Sequence, residues 1–200
     1  MTISATQVKQ LRDMTGAGFM ECKSALTETG GDVEKAVTVL RTRGQAKASK
    51  RSGRTTAQGV IGHYIHTGGQ VGVLVEVNCE SDFVARTDDF QTLVREIAMH
   101  VAAANPTCVR REEVPADDLE RERDIVRAQF KDSNKPPHVI EKIVEGKLNS
   151  YYSQVVLLDQ PSIRDPKTPI SGLVTAAIAK LGENITVARF ARFKVGESAS

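Results

Sequence analysis

The chain has 200 residues, 40% apolar and 26% charged, with 27 Lys and Arg against 25 Asp and Glu and a formal charge of +2. That length holds one ordinary domain and a small companion, and so balanced a charge excludes inferring a nucleic-acid partner from composition alone. The three cysteines, Cys22, Cys79 and Cys108, are odd in number and stand far apart with no CxxC pair, which suits reduced thiols in the cytosol better than a disulfide framework. The first seven residues lack the basic start and apolar core of a signal peptide, and no apolar run approaches the ~20 residues of a membrane span. A cytoplasmic protein without a membrane partner is expected.

Residues 4 to 43 predict three short helices. Ser4 and Gln7 form a capping box, followed on one face by Val8, Leu11 and, as a further candidate, Met14. Thr15-Gly16-Ala17-Gly18 breaks this helix, and a second begins at Phe19 and Met20 and ends near Gly30-Gly31. Asp32 caps a third, in which Val33, Ala36, Val37 and Leu40 share a face and Gly44 acts as the stop. Three helices in about 40 residues bury little surface, which suits a small recognition module.

Residues 44 to 58 carry few large apolar side chains. Together with Arg41 and Arg43 the segment gathers Lys47, Lys50, Arg51 and Arg54 without an acid. It reads as a solvated basic linker, partly helical, or as a phosphate-binding patch; the absence of interleaved aromatics counts against single-strand binding.

A second domain is expected from Gly59. Val60 to His66 and Val71 to Val77 are strand-like, and Gly68-Gly69 between them supports a tight hairpin. Asp88 to Asn105 predicts a helix capped by Thr87, with Phe90, Leu93, Val94, Ile97, Ala98 and Val101 in one stripe. A charged helix follows from Ala116 to Lys131, with Leu119, Val126 and Phe130 inward. Pro136-Pro137 opens another, which uses Val139, Ile140, Ile143, Val144 and Leu148. Gln154 to Leu158 reads as a short strand or extended link. Thr168-Pro169 reads as a cap and first-turn proline for a helix bearing Leu173, Ala177, Ile178 and Leu181, and Ile185 to Val195 is a final strand. The predicted fold class is α+β: a three-helix module (1–43), a basic linker (44–58) and an antiparallel sheet covered by helices (59–200).

Catalytic chemistry is hard to find. His63 and His66 lie three apart on a strand and so point to opposite faces, which argues against a shared metal ion. Gly68-Gly69-x-x-Gly72 sits in a hairpin, not between a strand and a helix, and no GxxxxGK[ST] sequence occurs. Cys79 beside Glu80 has no assigned base. Glu112-Glu113 and Asp117-Asp118 suit helix N-termini. No catalytic residue, metal site or cofactor is predicted.

The oddest stretch is Asn78-Cys79-Glu80-Ser81-Asp82-Phe83-Val84-Ala85-Arg86, at a strand-to-helix junction. A loop Phe without a core exposes ~150 Å² or more of apolar surface. Either Asp82 caps a turn over an inward Phe83, or the ring is meant for another molecule.

Several strings together resemble the bacterial translation elongation factor Ts family. They are Val8-Lys9-Gln10-Leu11-Arg12-Asp13-Met14-Thr15-Gly16-Ala17-Gly18-Phe19-Met20-Glu21-Cys22-Lys23-Ser24-Ala25-Leu26, then Glu76 through Ala85, Ile97 through Ala102, Val144-Glu145-Gly146-Lys147 and Gly182-Glu183-Asn184-Ile185. The resemblance implies a UBA-like first module and guanine-nucleotide exchange on elongation factor Tu without chemical catalysis. It makes Ser81, Asp82, Phe83 and Val84 a wedge that disturbs the partner's Mg²⁺ site. Val8, Leu11, Arg12, Phe19 and Met20 would dock the GTPase domain, although Val8 and Leu11 suit a helical core equally well. Ser81 stands where the family usually has Thr, and Phe19 where Met is common. Longer members carry two copies of the sheet-and-helix unit and this chain shows one, so a homodimer is implied. Direct nucleic-acid binding is not expected; an RNA- or ribosome-associated protein using the basic segment is the alternative.

Overall fold

The computed structural model describes residues 3–131, 133 and 135–197; residues 1–2 and 198–200, at the ends of the predicted first and last domains, lie outside it, as do 132 and 134. The order is three helices, α1 (Ala5–Thr15), α2 (Phe19–Glu28) and α3 (Val33–Arg51), then strands β1 (Gln58–Ile65) and β2 (Val71–Cys79). Helices α4 (Asp82–Ala85), α5 (Asp88–Ala104), α6 (Ala116–Gln129), α7 (Pro137–Val155) and α8 (Ile170–Leu181) follow, and strand β3 (Ile185–Lys194) comes last. The strands form one antiparallel sheet in the order β1-β2-β3, so the α+β class is as expected.

The N-terminal helices start where their caps dictate. Ser4 Oγ accepts from the Gln7 N–H at 3.2 Å while the Ser4 N–H donates to Gln7 Oε1 at 3.0 Å, and Asp32 Oδ1 accepts from the Lys35 N–H at 3.0 Å. Each cap stabilises its helix by about 1 kcal/mol. Val8, Leu11, Cys22, Ala25, Leu26, Ala36 and Leu40 form a common buried core. Each fully buried leucine contributes about 1.5–3 kcal/mol there, which offsets the small size of the module. Met14, the further candidate for that face, is exposed instead.

Two predicted boundaries are corrected. Gly44 does not stop α3, which runs on to Arg51. A Cβ at Gly44 would lie 3.4 Å from Ala179 Cβ of α8, so this glycine permits close helix packing rather than a turn. The Gln154–Leu158 segment is not a strand. Helix α7 continues to Val155, Val156 makes an isolated parallel bridge with Cys108, and Leu157–Asp159 form one 3-10 turn. A short apolar run fits a buried helix end as well as a strand, and here Val156 and Leu157 are fully buried.

Smaller departures have local causes. Thr168 does not cap α8: its hydroxyl donates to Asp165 Oδ2 at 2.7 Å, and Pro169 pairs with Pro161, so the helix begins at Ile170. Helix α6 ends at Gln129, two residues before the predicted Lys131. The α5 stripe from Phe90 to Val101 is buried throughout, and Thr87 Oγ1 accepts from the Phe90 N–H at 3.3 Å as its cap. Helices α6 and α7 share a separate cluster centred on Val126, Val144 and Leu148, with Leu119, Phe130, Ile140, Ile143 and Tyr152 around it.

The sheet alternates as a half-covered antiparallel sheet should. Val73, Val75, Val77 and Cys79 of β2 are buried, whereas Leu74 on the other face is exposed. Along β3 the alternation shifts by one residue. Val187 is buried, yet Arg189 pairs with Glu76 at 2.8 Å and Arg192 donates to the Ala102 carbonyl of α5 at 3.3 Å. Such a shift is what a bulge produces. Gly59 is required where β1 meets β2, because a Cβ there would lie 2.3 Å from the Val77 carbonyl oxygen.

The chain folds as two compact units. One gathers the residues up to Val60 with Val77–Val94 and Gly172–Thr186, and the other holds Ile61–Glu76, Arg95–Ser171 and the residues from Val187 onward. In the second unit His100 is buried at 1% exposure. Gln160 Nε2 donates to the Gln154 carbonyl, so its Oε1 receives the His100 Nε2 proton at 2.8 Å, and His100 Nδ1 has no partner among the described residues. Burial, only partly opposed by the Gln160 bond, pushes the His100 pKa below its ordinary value. The unfolded chain therefore takes up a proton near pH 6.5 that the folded chain resists. Stability associated with His100 is present above that pH and is lost as pH falls through and below it. In chemical denaturation, the difference in stability between pH 7.5 and pH 5 should be smaller in His100→Gln than in the parent chain. An unchanged difference would show that His100 titrates alike in both states.

Candidate functional site

Strand β2 ends at the buried Cys79, whose Sγ–H donates to the Ser81 carbonyl at 3.1 Å. Burial pushes the Cys79 thiol pKa up, which disfavours the thiolate a nucleophile needs. Ser81 is extended (φ −129°, ψ 155°) and caps α4, its Oγ accepting from the Val84 N–H at 3.4 Å. Helix α4 then displays its residues in different directions. Ala85 is buried, Val84 is half-buried, and Phe83 is 77% exposed, the most exposed large apolar side chain among the described residues. The cap is therefore Ser81 and not Asp82, and the Phe83 ring is not tucked beneath the turn. Asp82 Oδ2 accepts from Arg86 Nη2 at 2.6 Å in an exposed i,i+4 pair. Such a pair holds a side chain by only about 0.3–0.5 kcal/mol, so Asp82 can change partners at little cost.

The turn after α8 grips this segment. Glu183 Oε2 accepts from the Ser81 N–H at 3.0 Å and Glu183 Oε1 from the Ser81 hydroxyl at 2.6 Å. In return, Glu80 Oε1 accepts from the Asn184 N–H at 2.6 Å. The buried Asn184 also donates through Nδ2 to the Arg54 carbonyl at 2.8 Å and the Ser52 carbonyl at 3.4 Å. The sequence signals Glu183 and Asn184 only through the Gly182-Glu183-Asn184-Ile185 string.

The other predicted contact residues divide by burial. Arg12, Phe19 and Met20 are exposed, Phe19 at 47% and Met20 at 70%, and Met20 lies beside Lys23, Ser24, Thr27 and Glu28 along α2. Val8 and Leu11 are 2% and 0% exposed within the helical core. Their side chains offer almost no surface to another molecule in this structure and pack instead with Cys22, Ala25, Leu26, Ala36 and Leu40.

The basic segment is partly neutralised. Arg43 pairs with Glu28, Lys47 with Glu21, and Arg54 with Glu80 at 3.4 Å. The Lys47 bond holds the Glu21 carboxyl below its usual range. A phosphate-binding patch would need those cations free, and most of the segment lies on α3. His63 is exposed on β1, and His66 Nδ1 lies 3.0 Å from the Tyr64 hydroxyl. Among the described residues no group of three or more His, Cys, Asp or Glu side chains could hold a metal ion, and no helix is long and apolar enough to cross a membrane.

Comparison with known proteins covers nearly the whole chain. The family model described as elongation factor TS matches residues 4–197. A protein named elongation factor Ts from Geobacter sulfurreducens is 54% identical over 197 residues, spanning 98% of this chain and 91% of that protein. Proteins of the same name from Herpetosiphon aurantiacus and Fervidobacterium nodosum are 54% and 56% identical, and both are covered over 100% of their length. The capped Ser81–Ala85 turn, the three-helix core and the sheet thus all fall within one continuous match, and the chain belongs to the elongation factor Ts family.

Proposed function

We propose that this chain is a cytoplasmic guanine-nucleotide exchange factor for elongation factor Tu that performs no chemical catalysis of its own. The observation that carries the mechanism is the Phe83 ring, 77% exposed on a short capped helix. An apolar ring held in water is an unsatisfied contact, and burying it in a partner returns about 3 kcal/mol. For exchange, that gain must be available only when the partner's nucleotide is loosened, because differential affinity alone shifts the equilibrium.

Phe83 acts as the wedge, with Ser81 and Val84 fixing its base. Asp82 exchanges Arg86 for groups around the partner's Mg²⁺ site and so disturbs the contacts that hold metal and phosphate. Arg12, Phe19 and Met20 dock the GTPase domain, and Val8 and Leu11 keep α1 rigid beneath them. The proposed functional division follows: a docking module over 1–43, a connector over 44–58 entered by the continuous α3, and a core over 59–200.

A second copy of the chain is the proposed partner of the bare sheet face. Ile61 and Ile65 of β1, Leu74 of β2 and Phe193 of β3 are all exposed there. Ile65 overhangs Gly72, where an added Cβ would meet its Cδ1 at 3.1 Å. An isologous contact would cover these side chains twice over, and it would assemble from two chains the paired units that longer relatives carry in one.

Two measurements check these readings. With elongation factor Tu loaded with a fluorescent GDP, saturating wild-type chain should accelerate GDP release. Phe83→Ala should slow that release by roughly tenfold or more, while shifting stability by no more than about 0.5 kcal/mol. Unchanged release with the wild-type chain contradicts exchange activity, and a variant that unfolds readily contradicts the exposed wedge. In sedimentation equilibrium the parent chain should be dimeric and Phe193→Asp monomeric; a monomeric parent contradicts the sheet-face dimer.

A further inference from the structure

We propose that Glu183 is the positioning residue of the Asp82-Phe83 wedge: it aims the ring without itself meeting the partner. The inference rests on the wedge reading above and extends it to a residue on a different element. A four-residue helix cannot hold its own conformation, because helix nucleation fixes several dihedrals before its hydrogen bonds repay them. The direction of α4 must therefore be set from outside, and the bonds that set it converge on one carboxylate.

The Ser81 N–H lies beyond the end of β2 and goes to Glu183 Oε2 at 3.0 Å. The Ser81 hydroxyl donates its proton to Glu183 Oε1 at 2.6 Å. With its proton taken there, the hydroxyl turns a lone pair toward the Val84 N–H, which it accepts at 3.4 Å. Glu183 thus fixes both the backbone at the helix entrance and the rotor that caps the helix. Its own reach is set from both sides. Gly182 ends α8 at φ +79°, a conformation that L side chains rarely adopt, and the Asn184 N–H is held by Glu80 Oε1 at 2.6 Å. One side chain must both accept from the Ser81 N–H and engage the Ser81 hydroxyl; Glu does so with two acceptor oxygens, and Gln can do so with one acceptor oxygen and a donor amide, because the hydroxyl can also accept.

The test compares Glu183→Ala with Glu183→Gln in the GDP-release assay, read as the plateau rate at saturation and the half-saturating concentration. Glu183→Ala should lower the plateau roughly tenfold while changing the half-saturating concentration by less than about threefold, because the docking module is untouched. Glu183→Gln should recover most of the plateau, since its carbonyl can accept from the Ser81 N–H and its amide can donate to Ser81 Oγ. A merely structural loss would instead remove active protein, raising the half-saturating concentration and leaving the plateau intact; that pattern overturns the proposal. So does a wild-type plateau in Glu183→Ala when Phe83→Ala lowers it. Should Phe83→Ala leave release unchanged, it is the wedge reading that fails. Amide hydrogen exchange on the free chain decides the positioning independently of activity: Glu183→Ala should expose the Val84 and Ala85 amides and spare those of α1 and α2. Unaltered protection at Val84 and Ala85 would refute it.

Discussion

Residues 80–81 and 183–184 exchange hydrogen bonds in both directions, and the display of the exposed ring depends on that exchange. Glu80 takes the Asn184 N–H while Glu183 takes the N–H and hydroxyl of Ser81. Backbone donors that have just left β2 and α8 would otherwise need water, and each carboxylate supplies them with a charged acceptor. Charge-assisted bonds of this kind are roughly twice as strong as neutral ones. The Asn184 side chain extends the same knot to the carbonyls of Ser52 and Arg54 at the end of α3. A strand end, a helix end and the start of a final strand are thereby fixed around one four-residue helix.

The exposed apolar groups make sense against this rigid mounting. Phe83, Phe19 and Met20 occupy short helices or helix starts whose cores are well packed, so their exposure is not a symptom of loose structure. The sheet face of Ile61, Ile65, Leu74 and Phe193 is a second apolar surface, spread over neighbouring strands and crossed by the Arg189–Glu76 pair. On the proposed reading the ring serves a partner that must be opened, and the sheet face a second copy of the chain.

Much of this architecture was legible in the sequence because its signals were local. The Ser4–Gln7 box, the Asp32 and Thr87 caps and the Phe90–Val101 stripe each depend on residues within a turn or two, and each lies where the pattern put it. What escaped was set by distant partners. Gly44 reads as a stop unless Ala179 is known to press against it. The run around Val156 reads as a strand or extended link unless α7 is known to continue into it as far as Val155, with a 3-10 turn following. Asp82 and Ser81 are equally good caps by composition; Glu183, 102 residues away from Ser81, orients the serine and decides between them. The same distance hides Glu183 from a local reading, whereas Val8 and Leu11 fit core and contact equally by pattern, and only their burial places them in the core.

The most direct measurement places a photoreactive benzophenone side chain at position 83 and irradiates the chain with nucleotide-free elongation factor Tu. The account predicts an adduct with the GTPase that excess GDP and Mg²⁺ suppress, since nucleotide and wedge compete for one conformation of the partner. No adduct from position 83, or one that GDP and Mg²⁺ leave undiminished, would contradict it.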